Sequence, residues 1–171
     1  MRRKSFGNMR CPVARSLERV GEWWSILILR DAFHGLRRFD EFQRSLGVAP
    51  NMLTRRLNRL VEAGLLERRR YSEHPPRDEY VLTPSGRDFQ PVLLALSAWG
   101  SRHFAPEEGP AVQFVNLRTG AVIDPVLVDA ATGEPIVGGS FAVVAGPGAD
   151  EAMRARLAKR GTRPSAAGEA A

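Results

Sequence analysis

The chain has 171 residues, 43% of them hydrophobic, which is enough for a packed core, and its single cysteine excludes an intrachain disulfide framework. No apolar run approaches the roughly 20 residues of a membrane span, and no secretory apolar segment follows the basic Met1-Arg2-Arg3-Lys4, so a cytoplasmic protein without a membrane partner is expected. The net charge of +6 is uneven: residues 1–104 hold 19 Lys and Arg against 11 Asp and Glu, whereas residues 105–171 are net −2, which favours a polyanion partner for the first part.

In chain order, residues 1–10 read as a flexible basic arm. Pro12 suits the first position of a helix that carries Val13, Leu17 and Val20 on one side and stops at Gly21. A second helix, about Glu22 to His34, is apolar on most sides (Trp23, Trp24, Ile26, Leu27, Ile28, Leu29, Phe33) and belongs at the centre of the domain. Phe39, Phe42 and Leu46 mark a short third helix ending at Gly47. Pro50 and Gly64 then bracket a fourth helix, with Leu53, Leu57, Leu60 and Val61 forming one apolar stripe. Its other side offers Asn51, Arg55, Asn58 and Arg59, flanked by Thr54 and Arg56. A short helix, a tight turn at Val48-Ala49 and a polar-faced second helix form a helix-turn-helix arrangement. Arg and Asn are the side chains that read guanine and adenine in a major groove.

After Gly64 the period changes to two. Leu66, Arg68 and Arg70 alternate with Glu67, Arg69 and Tyr71, Glu73 to Arg77 turns, and Glu79 to Thr83 returns. An Arg-rich hairpin directly after a recognition helix is a wing, placed to bring Arg69, Arg70 and Arg77 to phosphates or a minor groove. Thr83 and Pro84 start another helix running to Gly100, kinked or shortened by Pro91. Its stripe of Phe89, Val92, Leu93, Leu96 and Trp99, with Val13 and Leu17 of the first helix, is expected to form a homodimer interface. Beyond a linker at 105–110, alternating segments at Val112–Leu117, Val126–Val128, Ile136-Val137 and Phe141–Val144 predict short strands, followed by a helix near Glu151–Lys159. The fold class is therefore α+β: a winged helix-turn-helix domain with a dimerisation helix at 11–104, a small β-rich module at 110–160 and a disordered tail at 161–171.

These residues resemble a known family. Cys11-Pro12-Val13-Ala14, Gly21-Glu22-Trp23-Trp24-Ser25-Ile26-Leu27, Arg38-Phe39-Asp40-Glu41-Phe42, Pro50-Asn51-Met52-Leu53-Thr54-Arg55-Arg56-Leu57, Gly64-Leu65-Leu66, Pro75-Pro76-Arg77-Asp78-Glu79-Tyr80 and Trp99-Gly100 are similar to HxlR-type winged helix-turn-helix regulators, in the same order. The resemblance implies a homodimeric transcriptional regulator, read here as a repressor, binding double-stranded operator DNA without a cofactor. Two departures stand out: Ala49 where the family usually places a capping Ser, and Asn51 where it often has Lys. Longer members carry a cysteine-based metal knuckle after the winged domain. Here the corresponding turns are Thr119-Gly120, and Asp129 with Thr132-Gly133, so hydrogen-bonded turns and no metal are expected.

Two recognition helices would enter successive major grooves about 34–36 Å apart. About eight phosphates neutralised per dimer would give a salt slope near −7. Cys11, at a helix start beside Arg10, is a candidate sensor of oxidants or electrophiles, as in some relatives. A small-molecule effector near Trp23, Trp24 and Trp99 is the other candidate signal. His34, His74 and His103 are scattered and no nucleophile–base pairing is evident, so an enzyme is not expected. The alternative function is a winged helix that binds protein or RNA without reading DNA sequence, for which an apolar outward face on the fourth helix would be required.

Overall fold

The computed structural model describes residues 5–160, and the side chains of 5–158. Its elements are α1 (Pro12–Val20), α2 (Trp23–Phe33), α3 (Phe39–Leu46), α4 (Pro50–Glu62), β1 (Leu66–Glu73), β2 (Pro76–Leu82), α5 (Pro84–Arg87), α6 (Gln90–Phe104) and α7 (Glu151–Arg160). The chain divides into two compact units at Ser97/Ala98, inside α6. The first unit is an α+β winged helix-turn-helix.

Its core is assembled from stripes that helical spacing prescribes. Ile28 and Leu29 of α2, Phe42 of α3, Leu53, Leu57 and Leu60 of α4, and Leu66 of β1 are all fully or almost fully buried and form one cluster. Each fully buried side chain of this kind contributes about 1.5–3 kcal/mol, which outweighs any single polar contact in the unit. Not all of α2 is central, however. Trp23, on its first turn, is 83% exposed, while Ser25 and Asp31 are buried. Before α1, Ser5 Oγ and Phe6 N donate to the two carboxylate oxygens of Glu18, at 3.0 and 2.7 Å. Residues 1–4 and the tail at 161–171 lie outside the described residues.

The helix-turn-helix corner is set by backbone. Gly47 closes α3 in the left-handed region (φ 63°), Val48 is buried, and Pro50 occupies the first turn of α4. Ala49 is the N-cap of α4 and supplies no side-chain bond. At the other end Gly64 (φ 71°) allows Leu65 N to donate back to Leu60 O at 2.9 Å, closing the helix.

The hairpin is tighter than its sequence suggests. β1 extends to Glu73 and β2 begins at Pro76, leaving only His74 and Pro75 between them. Tyr71 is an extra residue in β1, since the register steps from Arg70↔Asp78 to Ser72↔Arg77. Arg38 forms a third, single-residue bridge to Glu79, and Tyr80 N donates to Arg37 O at 2.7 Å.

Beyond the wing, the single helix expected over 84–100 is two. Thr83 caps α5 by accepting from Gly86 N at 3.0 Å while its own hydroxyl donates to Gly64 O at 2.6 Å. The chain then breaks at Asp88-Phe89, so Pro91 falls in the first turn of α6, where its missing N–H has no helical partner to lose. α6 continues past Gly100 to Phe104.

The second unit has fewer strands than predicted. One antiparallel bridge joins Val115 to Val122 and another joins Val128 to Pro135. Neither extends beyond a single bridge among the described residues. Phe141–Val144 forms no strand and is exposed. Both bridges enclose the same kind of turn. Gly120 N donates to Asn116 O and Gly133 N to Asp129 O, each at 2.7 Å. Asn116 Oδ1 accepts from Arg118 N and Thr119 N, and Asp129 Oδ1 from Ala131 N. Thr119 and Thr132 hydroxyls accept from Ala121 N and Glu134 N. No described residue from 98 to 158 is buried.

Gly86 gives the first prediction. It is buried, and a Cβ there would collide with the backbone oxygen of Leu65, a group fixed by the start of β1. Gly86→Ala should lower unfolding stability by about 1–3 kcal/mol or more in chemical denaturation, whereas Ser85→Ala, on an exposed neighbour, should change it little.

Candidate nucleic-acid interface

Because Leu53, Leu57 and Leu60 face inward, the rotation of α4 is fixed, and Asn51, Thr54, Arg55, Asn58 and Arg59 are all exposed. Internal bonds trim what each can offer. Thr54 Oγ1 donates to Pro50 O at 2.8 Å, so towards a ligand it can only accept a hydrogen bond or present its methyl. Arg55 Nε donates to Asn51 O at 3.4 Å, which holds the side chain along the helix and leaves its terminal nitrogens free to fork onto a guanine edge.

Arg56, beside that row, is engaged within the protein. Its Nη2 lies 2.9 Å from Glu22 Oε2 and its side chain is only 19% exposed, so it ties α4 to the N-cap residue of α2. One residue is a 100° rotation, and that separates the outward Arg55 from the inward Arg56.

The arginines of the wing are mostly paired. Residues 66–82 hold four Arg but also four Asp and Glu, so the hairpin is net neutral. Arg69 pairs with Glu67. Arg70 lies 3.1 Å from Asp78 through Nε and 3.5 Å from Glu73 through Nη1, and Arg68 Nε is 3.5 Å from the other Asp78 oxygen. The hydrogen bond and charge of Asp78 raise the pKa of Arg70. Arg77, at the tip, is exposed and has no ion pair among the described residues.

Sequence reasoning missed Arg38. Its guanidinium lies 4.8 Å from the centroid of the Tyr71 ring, where a cation–π contact fixes it beside the wing while its edges remain available. Only a lone Arg37-Arg38 doublet in the sequence hinted at this, because a single-residue bridge has no period. The apolar stripe of Phe89, Val92, Leu93, Leu96 and Trp99 divides as well. Phe89 and Leu93 pack against the unit's own core, while Val13, Leu17, Val92, Leu96 and Trp99 are exposed. Trp99 makes its ring contacts within α6, with His103 and Phe104. Cys11 is the N-cap of α1, partly exposed, and makes no capping bond.

A polar-faced helix held by a buried stripe, preceded by a left-handed turn and followed by a hairpin, has counterparts in known proteins. An HxlR-like helix-turn-helix profile matches residues 19–108. The chain belongs to the HxlR-like helix-turn-helix family. The family consists of DNA-binding transcriptional regulators and not enzymes. The HTH-type transcriptional regulator Rv3095 of Mycobacterium tuberculosis is 41% identical over 146 residues, 85% of this chain and 90% of that one. The structure of PA1374 from Pseudomonas aeruginosa is 58% identical, covers 86% of this chain and 100% of its own, and superposes with a TM-score of 0.62. The redox regulator HypR in its reduced form is 33% identical, with a TM-score of 0.52 over 54% of this chain and 92% of its own. Among the described residues no helix is long and apolar enough to cross a membrane, and no group of three or more His, Cys, Asp or Glu is placed to hold a metal.

This HxlR-like domain positions its interface through α3, and Glu41 secures the start of that helix. Its Oε2 accepts from Arg37 N and Arg38 N at 2.8 Å each. The Arg38 side chain has no acceptor to return, so the cap is one-sided. The two N–H groups, with smaller help from the charges of Arg38 and Arg44, hold the Glu41 carboxyl below its ordinary 4.5. A carboxylate whose pKa is lower folded than unfolded adds stability above the unfolded value, and that stability is lost as pH falls through the folded one. Glu41→Ala should therefore cost about 1 kcal/mol at neutral pH, a typical capping magnitude. The gap between the variant and wild-type melting temperatures should close below pH 4.5.

Proposed function

We propose that this regulator is a homodimeric repressor that reads a specific operator through α4. The observation that carries the reading is the exposed row of Asn51, Thr54, Arg55, Asn58 and Arg59 on a helix whose opposite face is sealed in the core. An outward apolar face, which docking to a protein would need, is absent from this row. Asn51, Thr54 and Arg55 are assigned to base edges, Arg59 to phosphate, and the wing tip with Arg77 to backbone or minor groove. Arg38, poised on Tyr71, is added to the backbone contacts. Two copies would join through the exposed apolar side chains of α1 and the start of α6, Val13, Leu17, Val92 and Leu96. A regulator of chromosomal genes acts in the cytoplasm.

Control is assigned to Cys11. The thiol is partly exposed at the start of α1, on the element proposed to join the subunits, and the similar HypR is a redox regulator with reduced and oxidised forms. A small-molecule effector is the second reading, favoured only by the exposure of Trp23 on α2. In the C-terminal unit, Thr119, Asp129 and Thr132 are read as hydrogen-bonding substitutes for the thiolates of a metal knuckle, supported by the parallel bonding of the two turns.

With Arg56, Arg69 and Arg70 engaged inside the protein, about six phosphates per dimer remain to be neutralised by Arg38, Arg59 and Arg77. Log affinity for a selected duplex should then fall with log salt at a slope near −5, measured by fluorescence anisotropy. A slope near zero would overturn the reading. Arg55→Ala should cost about 1–3 kcal/mol on that duplex and relax base preference at one position per half-site. For Cys11, diamide should lower operator affinity of the wild type and leave Cys11→Ser unaffected; an equal response of both proteins removes the sensor.

A further inference from the structure

The wing has the length and position to hold DNA, yet its charges are arranged to cancel. Asp78 stands directly opposite Arg70 in the hairpin register, one residue before the β1 bulge at Tyr71. By strand alternation Arg68 shares that face. One carboxylate thus engages the Nε of two arginines, through Oδ1 at 3.1 Å and Oδ2 at 3.5 Å. Its own side chain is 24% exposed, against 56% and 46% for Arg68 and Arg70, so the acid is the more enclosed partner. Glu73 adds a second oxygen near Arg70.

The Nε edge matters because bidentate recognition of a phosphate takes two parallel N–H groups of the guanidinium fork. A carboxylate that occupies it presents the same charge sign and acceptor geometry that a DNA phosphate would. Partly exposed ion pairs add little to fold stability, so stability gives this arrangement no strong reason to exist. Its effect on association is larger. Each phosphate contact forgone removes one released counterion from the binding equilibrium.

We propose that Asp78 is an internal counterion that withholds Arg68 and Arg70 from the DNA backbone and thereby sets the sequence-independent affinity of the wing. It rests on the DNA-binding reading above and assigns regulation of affinity to a residue of that same interface. Arg77, outside the cluster, is left as the wing's main phosphate contact. Base discrimination stays with α4, which Asp78 does not touch among the described contacts.

The test is Asp78→Asn, which keeps the side-chain shape and removes the charge, with folding checked by circular dichroism. Binding to a random-sequence duplex is followed by anisotropy across a salt series, beside the wild type. Asp78→Asn should bind about tenfold more tightly at low salt, and its salt slope should steepen by about two to four, one or two freed arginines in each of two wings at 0.9 per phosphate. Arg68→Ala/Arg70→Ala in the Asp78→Asn background should abolish the gain, while Arg70→Ala alone should change wild-type binding little. Glu62→Gln removes one negative charge from the exposed end of α4 and controls for net charge alone. An unchanged slope in Asp78→Asn, an equal gain from Glu62→Gln, or a gain that survives loss of both arginines overturns the proposal and leaves DNA binding intact. If the wild type binds no duplex at any salt, the DNA reading itself falls and this inference falls with it.

Discussion

What α4 shows to solvent is decided by what it buries. Leu53, Leu57 and Leu60 are driven into the cluster of Ile28, Leu29 and Phe42 by an apolar transfer energy of several kcal/mol in total. That energy is far larger than the cost of reorienting any exposed side chain, so the helix cannot rotate to suit a partner. The polar row from Asn51 to Arg59 is consequently a fixed template. Without a capping side chain at Ala49, the start of α4 depends on Pro50, on buried Val48 and on this stripe. A missing cap of about 1 kcal/mol is small beside the burial that replaces it.

The same frame explains the Glu22–Arg56 pair. Arg56 sits at the edge of the stripe, where its long stem follows apolar surface and its head reaches the start of α2. Its Nε is buried without a partner, so the pair is incompletely compensated and is better understood as an orienting contact than a source of stability. Asp31 repeats the pattern on α2: Oδ1 meets Arg30 at 2.8 Å, while the other oxygen is buried and unpaired. Both polar groups lie within a core whose apolar members supply the favourable balance.

Helical periodicity made α1 to α4 legible because each of those helices buries a stripe against neighbours in the same unit. It placed the ends of α3 and α4 within a residue, since Gly47, Pro50 and Gly64 have backbone reasons to stand where they do. Periodicity has no resolution at the edge of a stripe, which is why Arg55 and Arg56 read alike and behave differently. Period two likewise separates the faces of a hairpin but carries no register, and the pairing of Arg70 with Asp78 depends on a register that the bulge at Tyr71 displaces by one. In the C-terminal unit, Val-rich alternation suggested strands, but no described residue there is buried, so no core supports a ladder beyond the single bridges. The apolar stripe from Phe89 to Trp99 was half legible: spacing grouped its members, but only the break before α6 sends Phe89 and Leu93 to the core and leaves Val92 and Leu96 outside.

Charge counting therefore measures something different from charge on offer. The first 104 residues are net +8, yet within the wing the cations and acids are equal in number and mostly in contact. An arginine held by a carboxylate still attracts a phosphate at long range only as part of a neutral pair, whose field falls off faster than that of a lone charge. At contact it must exchange one anion for another, with little net Coulomb gain in high dielectric. Arg77 at the tip, with no ion pair among the described residues, faces no such exchange, and Arg38 is held by an aromatic ring, which orients the cation without neutralising it. Two arginines differing only in whether a ring or a carboxylate holds them thus contribute unequally to a polyanion interface, and that difference is set by the fold and not by the composition.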